Sequence, residues 1–556
     1  MRTFLLAGAT KDADRERGRV TLSISPDAAI AAGATDAPLL DLSVGELLAR
    51  QAHRFPTRAA LIVPADASSE ASHGERRWTY EELDQEARTT AAALLARFAP
   101  GDRVATWACG SAEILLLQLG AALAGVTLVT INPGNRSLEV EYTLATSRAR
   151  GLFLDRIYRG LDNQVVIEAL REVLPALEIV TYLDEWDAFR AQHSEEPLPQ
   201  VLPSDPALIL FTSGSSGKPK AAMLSHRGIV NNAALTARHL EAGEGAVWLN
   251  LLPMFHVGGS VTMTLGALAS GGTQVLQPQF EAAAVLEAIA RYRVELTMAV
   301  PTMLVAMLEC PEIATVDLSS LKLIVAGGSA VAPDLIRRVR ESIGAEVASL
   351  MGQTEASGAM FSTRRGDTDE QVSNSVGGPL ALSEVKIVDT QDGRVLSRGE
   401  PGEICIRSPS TMLCYFEMPE RTAEALERDG WLHTGDIGRM RDDGYIQITG
   451  RKSDMIIRGG ENIYPREIED VLVSHEDVAQ AAVYGLPDER WGEQVAAALV
   501  PRAGRNIDTD ALTEWLRARI ARHRVPRFWQ VLDALPLNAS GKVQKFILRD
   551  EHTQKL

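Results

Sequence analysis

Most of the marks by which a sequence declares its class are missing here. The 556 residues include only four cysteines, Cys109, Cys310, Cys405 and Cys414. No two form a C-x-x-C pair, and none joins a histidine at zinc-ligand spacing, which excludes a disulfide scaffold and a zinc module. Reduced thiols in a cytoplasmic protein are the expectation. Positive charge is also short: 56 Lys and Arg face 73 Asp and Glu, for a formal net charge of −17. A broad basic face is therefore excluded, and with it nucleic acid or an anionic membrane as the main partner. An anionic small molecule is not excluded, because backbone N–H groups of one loop can hold phosphate inside an acidic protein. No long apolar run is unbroken. The richest, "AEILLLQLGAALAGVTLVTI", is interrupted by Gln, Gly and Thr and reads as a buried helix followed by a strand, not as a membrane span. The opening "MRTFLLAGATKDADRERG" reaches charge too soon for a secretory leader.

What is present is ordinary in bulk and informative in order. Apolar residues make up 46% and charged residues 23%, as in soluble globular proteins, and the length calls for at least two domains. Residues 1–40 are irregular and Ala/Asp-rich, an extension or a docked edge segment. Beyond them helix and strand patterns alternate. "WTYEELDQEARTTAAALLARF" is an amphipathic helix with Thr79 as N-cap and Glu82 three residues on. "DRVATWAC", "VTLVTINP", "GLFLD", "EIVTYL", "TQVLQ", "ELTMAV", "LKLIVAGG" and "EVASLMG" read as buried strands of parallel sheets, an α/β layout. After about Val376 the texture changes to short strands with Asp392-Gly393 and Asp443-Gly444 turns, a small β subdomain. From Arg451 an α+β unit follows, with helices in "REIEDVLVSHEDV" and "DTDALTEWLRARIARH" and strands in "AQAAVYGLP" and "EQVAAALVP". A boundary is drawn between Gly450 and Arg451, giving domains 1–450 and 451–556.

The loop "FTSGSSGKPKAAMLSH" follows the apolar strand "ALILF" and suits phosphate. It is not the G-x-x-x-x-G-K-[ST] loop of NTPases. Gly214 and Gly217 stand too close, and Pro219 follows Lys218 where that loop has a Ser or Thr and enters a helix. Thr212, Ser213, Ser215 and Ser216 instead offer hydroxyl and N–H donors, and the glycines admit close backbone approach.

This loop resembles the phosphate signature of the adenylate-forming superfamily, which contains acyl-CoA synthetases, peptide-synthetase adenylation domains and luciferases. Five further stretches match that family in order: "LPMFHVGG", "MGQTEASG", "WLHTGDIGRM", "GRKSDMIIRGGENIYPREIE" and "LPLNASGKVQK". The resemblance implies a large N-terminal domain and a smaller mobile C-terminal one. It implies a two-step reaction: a carboxylate attacks the α-phosphate of ATP, with Mg2+, and a thiol of coenzyme A then displaces AMP. Residue by residue, Lys542 is implied as the adenylation lysine, Glu355 as the magnesium carboxylate and Thr354 as a phosphate contact. Lys220 joins the phosphate loop of Thr212, Ser213, Gly214, Ser215, Ser216 and Gly217. Gly327, Gly328, Ser329, Met351, Gly352 and Gln353 line the adenine side. Asp436 and Arg451 take the ribose, with Ile448 in the nucleotide lining. Lys452 is the hinge, and Gly459 and Gly460 line the thiol tunnel. His256 gates an acid pocket formed with Val257, Gly258, Gly259, Met263, Ser329, Ala356 and Gly358. That lining is small or apolar and has no acid to pair an amino group, so a hydrophobic carboxylic acid is expected. Three positions depart from the family pattern. Ala221 replaces a Gly, Ser329 an Ala or Pro, and Met351 an aromatic that stacks on adenine, a loss of about 1 kcal/mol. Alternatives to an acid–CoA ligase are transfer to a carrier-protein phosphopantetheine, specialisation for one half-reaction, and a non-catalytic adenylate-binding module.

Overall fold

The structure is a computed structural model that describes residues 23–24, 27–65, 74–212, 219–277, 279–327, 331–459, 461–488, 490–537 and 543–553. The chain divides into two compact units. The first comprises residues 1–386, 405–433 and 441–446, and the second residues 387–404, 434–440 and 447–556. The last stretch of the second unit starts at Gln447, four residues before the Arg451 at which the second domain was expected to begin, inside the strand Ile446–Arg451.

The first unit is built on two sheets. In a seven-stranded sheet the order is Ile179–Tyr182, Gly151–Leu154, Arg103–Trp107, Thr127–Ile131, Pro206–Thr212, Lys220–Ser225 and Cys414–Tyr415. The first five run parallel, Lys220–Ser225 runs antiparallel to them, and Cys414–Tyr415 is antiparallel to Lys220–Ser225. A nine-stranded sheet has six parallel strands at its centre, Glu346–Gln353, Leu323–Gly327, Leu296–Ala299, Val247–Asn250, Thr273–Leu276 and Ala59–Val63. Such strands are covered on both faces and so are apolar without alternation. Leu323–Gly327 and Leu296–Ala299 are buried at every position.

Local chemistry explains the elements that the sequence made plain. Thr79 caps Tyr80–Leu95: its Oγ accepts from the Glu82 N–H, and Glu82 accepts from the Thr79 N–H. The apolar run expected to be a buried helix and a strand is the helix Ala112–Ala124, capped by Ser111, followed by Thr127–Ile131. Among the described residues, no helix is long and apolar enough to cross a membrane. Of the N-terminal segment, Ile30–Ala32 pairs with Glu384–Val388 on one side and with the two-residue edge strand Ser23–Ile24 on the other. Asn231 fastens the chain just beyond it, accepting from the Leu40 N–H at 2.8 Å and donating to the Leu40 carbonyl at 2.7 Å.

In the second unit the strands Val478–Asp488 and Gly492–Pro501 form a hairpin, and Phe528–Val531 runs parallel to the latter. The helix expected over "DTDALTEWLRARIARH" ends earlier, at Arg517. Beyond it the chain turns so that Ile520 and Val525 pack with Leu512, Leu516 and Trp529. A burial requirement that spans the sheet overrides the local helical pattern there.

The helix His226–His239 carries a buried imidazole at each end. His226 Nδ1 accepts from the Val44 N–H at 3.3 Å, and His239 Nε2 donates to the Ser362 carbonyl at 3.1 Å. Burial pushes both rings down to about 4, helped at His239 by the nearby Arg364 cation. Both are neutral in the folded chain, whereas unfolding restores ordinary values near 6.5. The unfolded chain therefore binds more protons between about pH 6.5 and pH 4, and stability falls as pH drops through that window. Urea midpoints measured from pH 8 to pH 4 are expected to hold above pH 7 and decline below 6.5. His239→Gln should flatten part of that decline.

Candidate active site

In parallel sheets ligands gather beyond the carboxyl ends of the strands, and the two sheets of the first unit bring such ends together. Thr212 closes Pro206–Thr212, and Lys220 opens the next strand directly opposite it. The phosphate signature thus connects two antiparallel strands. This is a second difference from the NTPase loop, which passes from strand to helix. Ser213, Gly214, Ser215, Ser216 and Gly217 lie outside the described residues. From the nine-stranded sheet, Gly327 ends Leu323–Gly327, while Met351, Gly352 and Gln353 end Glu346–Gln353. Gly328 and Ser329 also lie outside the described residues. Thr354, Glu355 and Ala356 make a single 3-10 turn, and Gly358 begins the returning strand Gly358–Ser362.

Glu355 is where the two sheets meet. Its Oε1 accepts from the Thr212 hydroxyl at 3.3 Å and from the Tyr415 hydroxyl at 2.8 Å. The Lys220 ammonium donates to the same Tyr415 oxygen at 2.8 Å and lies 4.3 Å from the ring centroid. Tyr415 is buried, at 3% exposure. Burial first, and then the Glu355 carboxylate, push its phenol well above the usual range, so it keeps its proton to donate. Its strand Cys414–Tyr415 pairs with Lys220–Ser225, and the Thr422 hydroxyl accepts from its N–H at 2.9 Å. Tyr415 is absent from the expected site: a tyrosine in the apolar run "TMLCYF" carries no sign that its hydroxyl is the working end.

Five of the acid-pocket candidates, His256, Val257, Gly258, Gly259 and Met263, lie on one irregular segment. His256 Nδ1 accepts from the Gly258 N–H at 3.1 Å. Gly258–Met263 then winds as a π-helix, every residue of it buried, a rare form found mostly at functional sites. Buried asparagines that the sequence did not single out hold this wall. Asn250 Nδ2 donates to the Gly259 carbonyl at 3.1 Å. Asn232 Nδ2 donates to the Ala356 and Ala359 carbonyls at 3.1 and 2.8 Å, and its Oδ1 accepts from the Ala359 N–H. The Thr130 hydroxyl donates to the Phe255 carbonyl at 2.8 Å, joining the segment to the other sheet.

The second unit holds the remaining candidates. Arg451 Nε meets the buried Asp436 carboxylate at 2.9 Å, and Lys452 Nζ meets Glu403, also buried, at 2.8 Å. Ile448 lies half-buried on the strand Ile446–Arg451. Gly459 has φ +62, and a Cβ there would stand 2.7 Å from the Trp491 ring, so both backbone and space select glycine. Gly460 and Lys542 lie outside the described residues. The ends of the segment bearing Lys542 are held: Leu537 bridges to Val543, and Lys545 pairs with Glu469 at 2.6 Å.

The chemistry of the donor set fits magnesium. Among the described residues no three His, Cys, Asp or Glu cluster as a complete metal cage. Mg2+ prefers one or two carboxylates, waters and substrate phosphate, and Glu355 supplies one carboxylate beside the phosphate segment. When bound, the ion would neutralise phosphate oxygens.

Comparison with known proteins agrees. Residues 48–416 match the AMP-binding enzyme family and residues 467–542 the AMP-binding enzyme C-terminal domain. The mouse (Mus musculus) protein named medium-chain acyl-CoA ligase ACSF2, mitochondrial, is 35% identical over 559 residues, covering 94% of this chain and 90% of that protein. The structure of a Mycobacterium tuberculosis fatty acyl CoA synthetase superposes with a TM-score of 0.76 at 30% identity, covering 92% of this chain and 99% of that one. The o-succinylbenzoate CoA synthetase of Bacillus subtilis, solved with its acyl-adenylate intermediate, gives 0.78 at 30% identity, covering 92% and 98%. The chain belongs to the AMP-binding enzymes, in their acyl-CoA synthetase branch, and is an ATP-dependent, AMP-forming acid–CoA ligase.

One geometric consequence is testable at once. A Cβ on Gly352 would stand 2.4 Å from the Gly358 carbonyl oxygen, so Gly352→Ala must displace the turn that presents Glu355. Adenylation, followed by pyrophosphate release, is expected to fall about ten-fold or more, with a lowered thermal midpoint.

Proposed function

We propose that the acid activated is an apolar one of medium length, taken up at the wall formed by His256, Val257, the buried π-helix Gly258–Met263 and the Ala356–Gly358 turn. The observation that carries this is the lining itself. Apart from the exposed His256 it is buried, its side chains are small or apolar, and carbonyls of its backbone accept from Asn232 and Asn250. Nothing in "MFHVGGS" offers an anion for an amino group. The names of the relatives, medium-chain acyl-CoA ligase and fatty acyl CoA synthetase, point the same way.

Two anions must meet in the first step, so the barrier is electrostatic and preorganised cations are the main device. The acid's carboxylate oxygen attacks the α-phosphorus, and the bond from that phosphorus to the bridging oxygen of pyrophosphate breaks. Lys220 binds the departing phosphates, and the Thr212 hydroxyl, which donates to Glu355, holds that carboxylate beside them. Thr354 adds a hydroxyl beside Glu355. Lys542 stands between the carboxylate and the α-phosphate, as a compact point charge can. Asp436 accepts both ribose hydroxyls, with Arg451 beside it. In the second step the thiol sulfur, after losing its proton, attacks the acyl carbon and AMP leaves. The domain holding Lys542 turns about Lys452 between the steps, and Gly459 and Gly460 line the thiol's path. CoA is the acceptor, and four free cysteines suit a reducing, cytoplasmic setting.

The reading is tested by supplying ATP, Mg2+ and a panel of straight-chain, branched and aromatic acids, with pyrophosphate and CoA thioester measured separately. Straight-chain acids of medium length should give the highest kcat/KM, and a preference for polar or amino acids would refute the assignment. Lys542→Ala should reduce adenylation at least about 100-fold while leaving thioester formation from preformed acyl-adenylate nearly intact. Equal loss in both steps would remove Lys542 from the role.

A further inference from the structure

The phenol of Tyr415 sits between two groups of opposite charge that the first half-reaction needs apart. Lys220 must face phosphate, and Glu355 must face the metal. A phenol has one proton to give and lone pairs to accept with. Here the proton goes to Glu355 Oε1 at 2.8 Å and the oxygen accepts from the Lys220 ammonium at 2.8 Å. The Thr212 hydroxyl reaches the same Oε1, which leaves the second carboxylate oxygen as the outward ligand. Without the hydroxyl, the ammonium and the carboxylate stand one oxygen atom apart and attract each other directly, each cancelling the charge the other must offer to substrate.

We propose that Tyr415 is a positioning residue for the adenylation step: its hydroxyl spaces Lys220 from Glu355 and orients the Glu355 carboxylate to receive magnesium with ATP. The inference rests on the assignment of Glu355 to the metal. Three features make the hydroxyl, not the ring, the agent. The backbone of Tyr415 is held independently, by the pairing Ala222 to Tyr415 and by Thr422. A phenylalanine would keep the ring under Lys220. The buried hydroxyl is used wholly in these two bonds to site residues.

The test compares wild type, Tyr415→Phe, Glu355→Gln and the double variant, using the fastest acid of the panel. ATP–pyrophosphate exchange is measured against free magnesium chloride, and thioester formation from preformed acyl-adenylate serves as an internal control for folding. Tyr415→Phe is expected to slow exchange about ten-fold, the worth of a hydrogen bond to a charged group. The magnesium concentration for half-maximal exchange should rise several-fold, and thioester formation should change less than about two-fold. The double variant should be no worse than Glu355→Gln alone, since the two act as one unit. A wild-type magnesium dependence in Tyr415→Phe, while Glu355→Gln shifts it, overturns the inference and spares the Glu355 assignment. Equal loss in both half-reactions by Tyr415→Phe overturns it as well, by showing a merely structural role. An unshifted magnesium dependence in Glu355→Gln removes the assignment of Glu355 and the inference with it.

Discussion

The hydrogen bonds converging on Tyr415 and Glu355 are what the geometry of the candidate site hangs on. They join the end of one strand, the start of the next, a 3-10 turn from the other sheet and a two-residue strand some sixty residues further on. Each of those pieces is short and would hold no geometry alone. Two sheets whose carboxyl edges face a common point make them adjacent, and a buried phenol fixes their spacing. Because that phenol remains protonated, the link is a neutral one between charges, and a neutral link does not consume either charge.

The phosphate segment takes its character from the same arrangement. The two strands that flank it are antiparallel neighbours, with Thr212 opposite Lys220. A strand-to-helix loop would place a helix N-terminus against the phosphates. Thr212 and Lys220, on the flanking strands, offer a hydroxyl and an ammonium instead. The acid wall is likewise irregular backbone kept in place by asparagine amides, with Asn232 and Asn250 supplying bonds that no ladder provides there.

Much of the fold was legible because it follows local rules. The Thr79–Glu82 capping pair, the buried helix after Ser111 and the apolar strands of the parallel sheets all have signatures within a few residues. Where the reading ran long, at the helix that stops at Arg517, distant core packing intervened. Sequence proposes candidate site residues where residue order is itself distinctive, as in "MGQTEASG" and "HTGDIG". The site was not legible at Tyr415, Asn232 and Asn250. An aromatic among apolar neighbours and an amide inside a helix are unremarkable in one dimension. Their partners stand 60, 127 and 9 residues away for Tyr415–Glu355, Asn232–Ala359 and Asn250–Gly259, and only the nearest of these separations falls within a motif.

From sequence alone came the class of chemistry. It came through six ordered stretches that resemble the adenylate-forming superfamily, and order survives in a string of letters. Tertiary structure alone decided which charges touch, and through what. Charge interactions depend on separations of a few ångströms, and no spacing along the chain encodes a distance between Lys220 and Glu355. That distance is set by two sheets meeting edge to edge and by one buried hydroxyl placed between them.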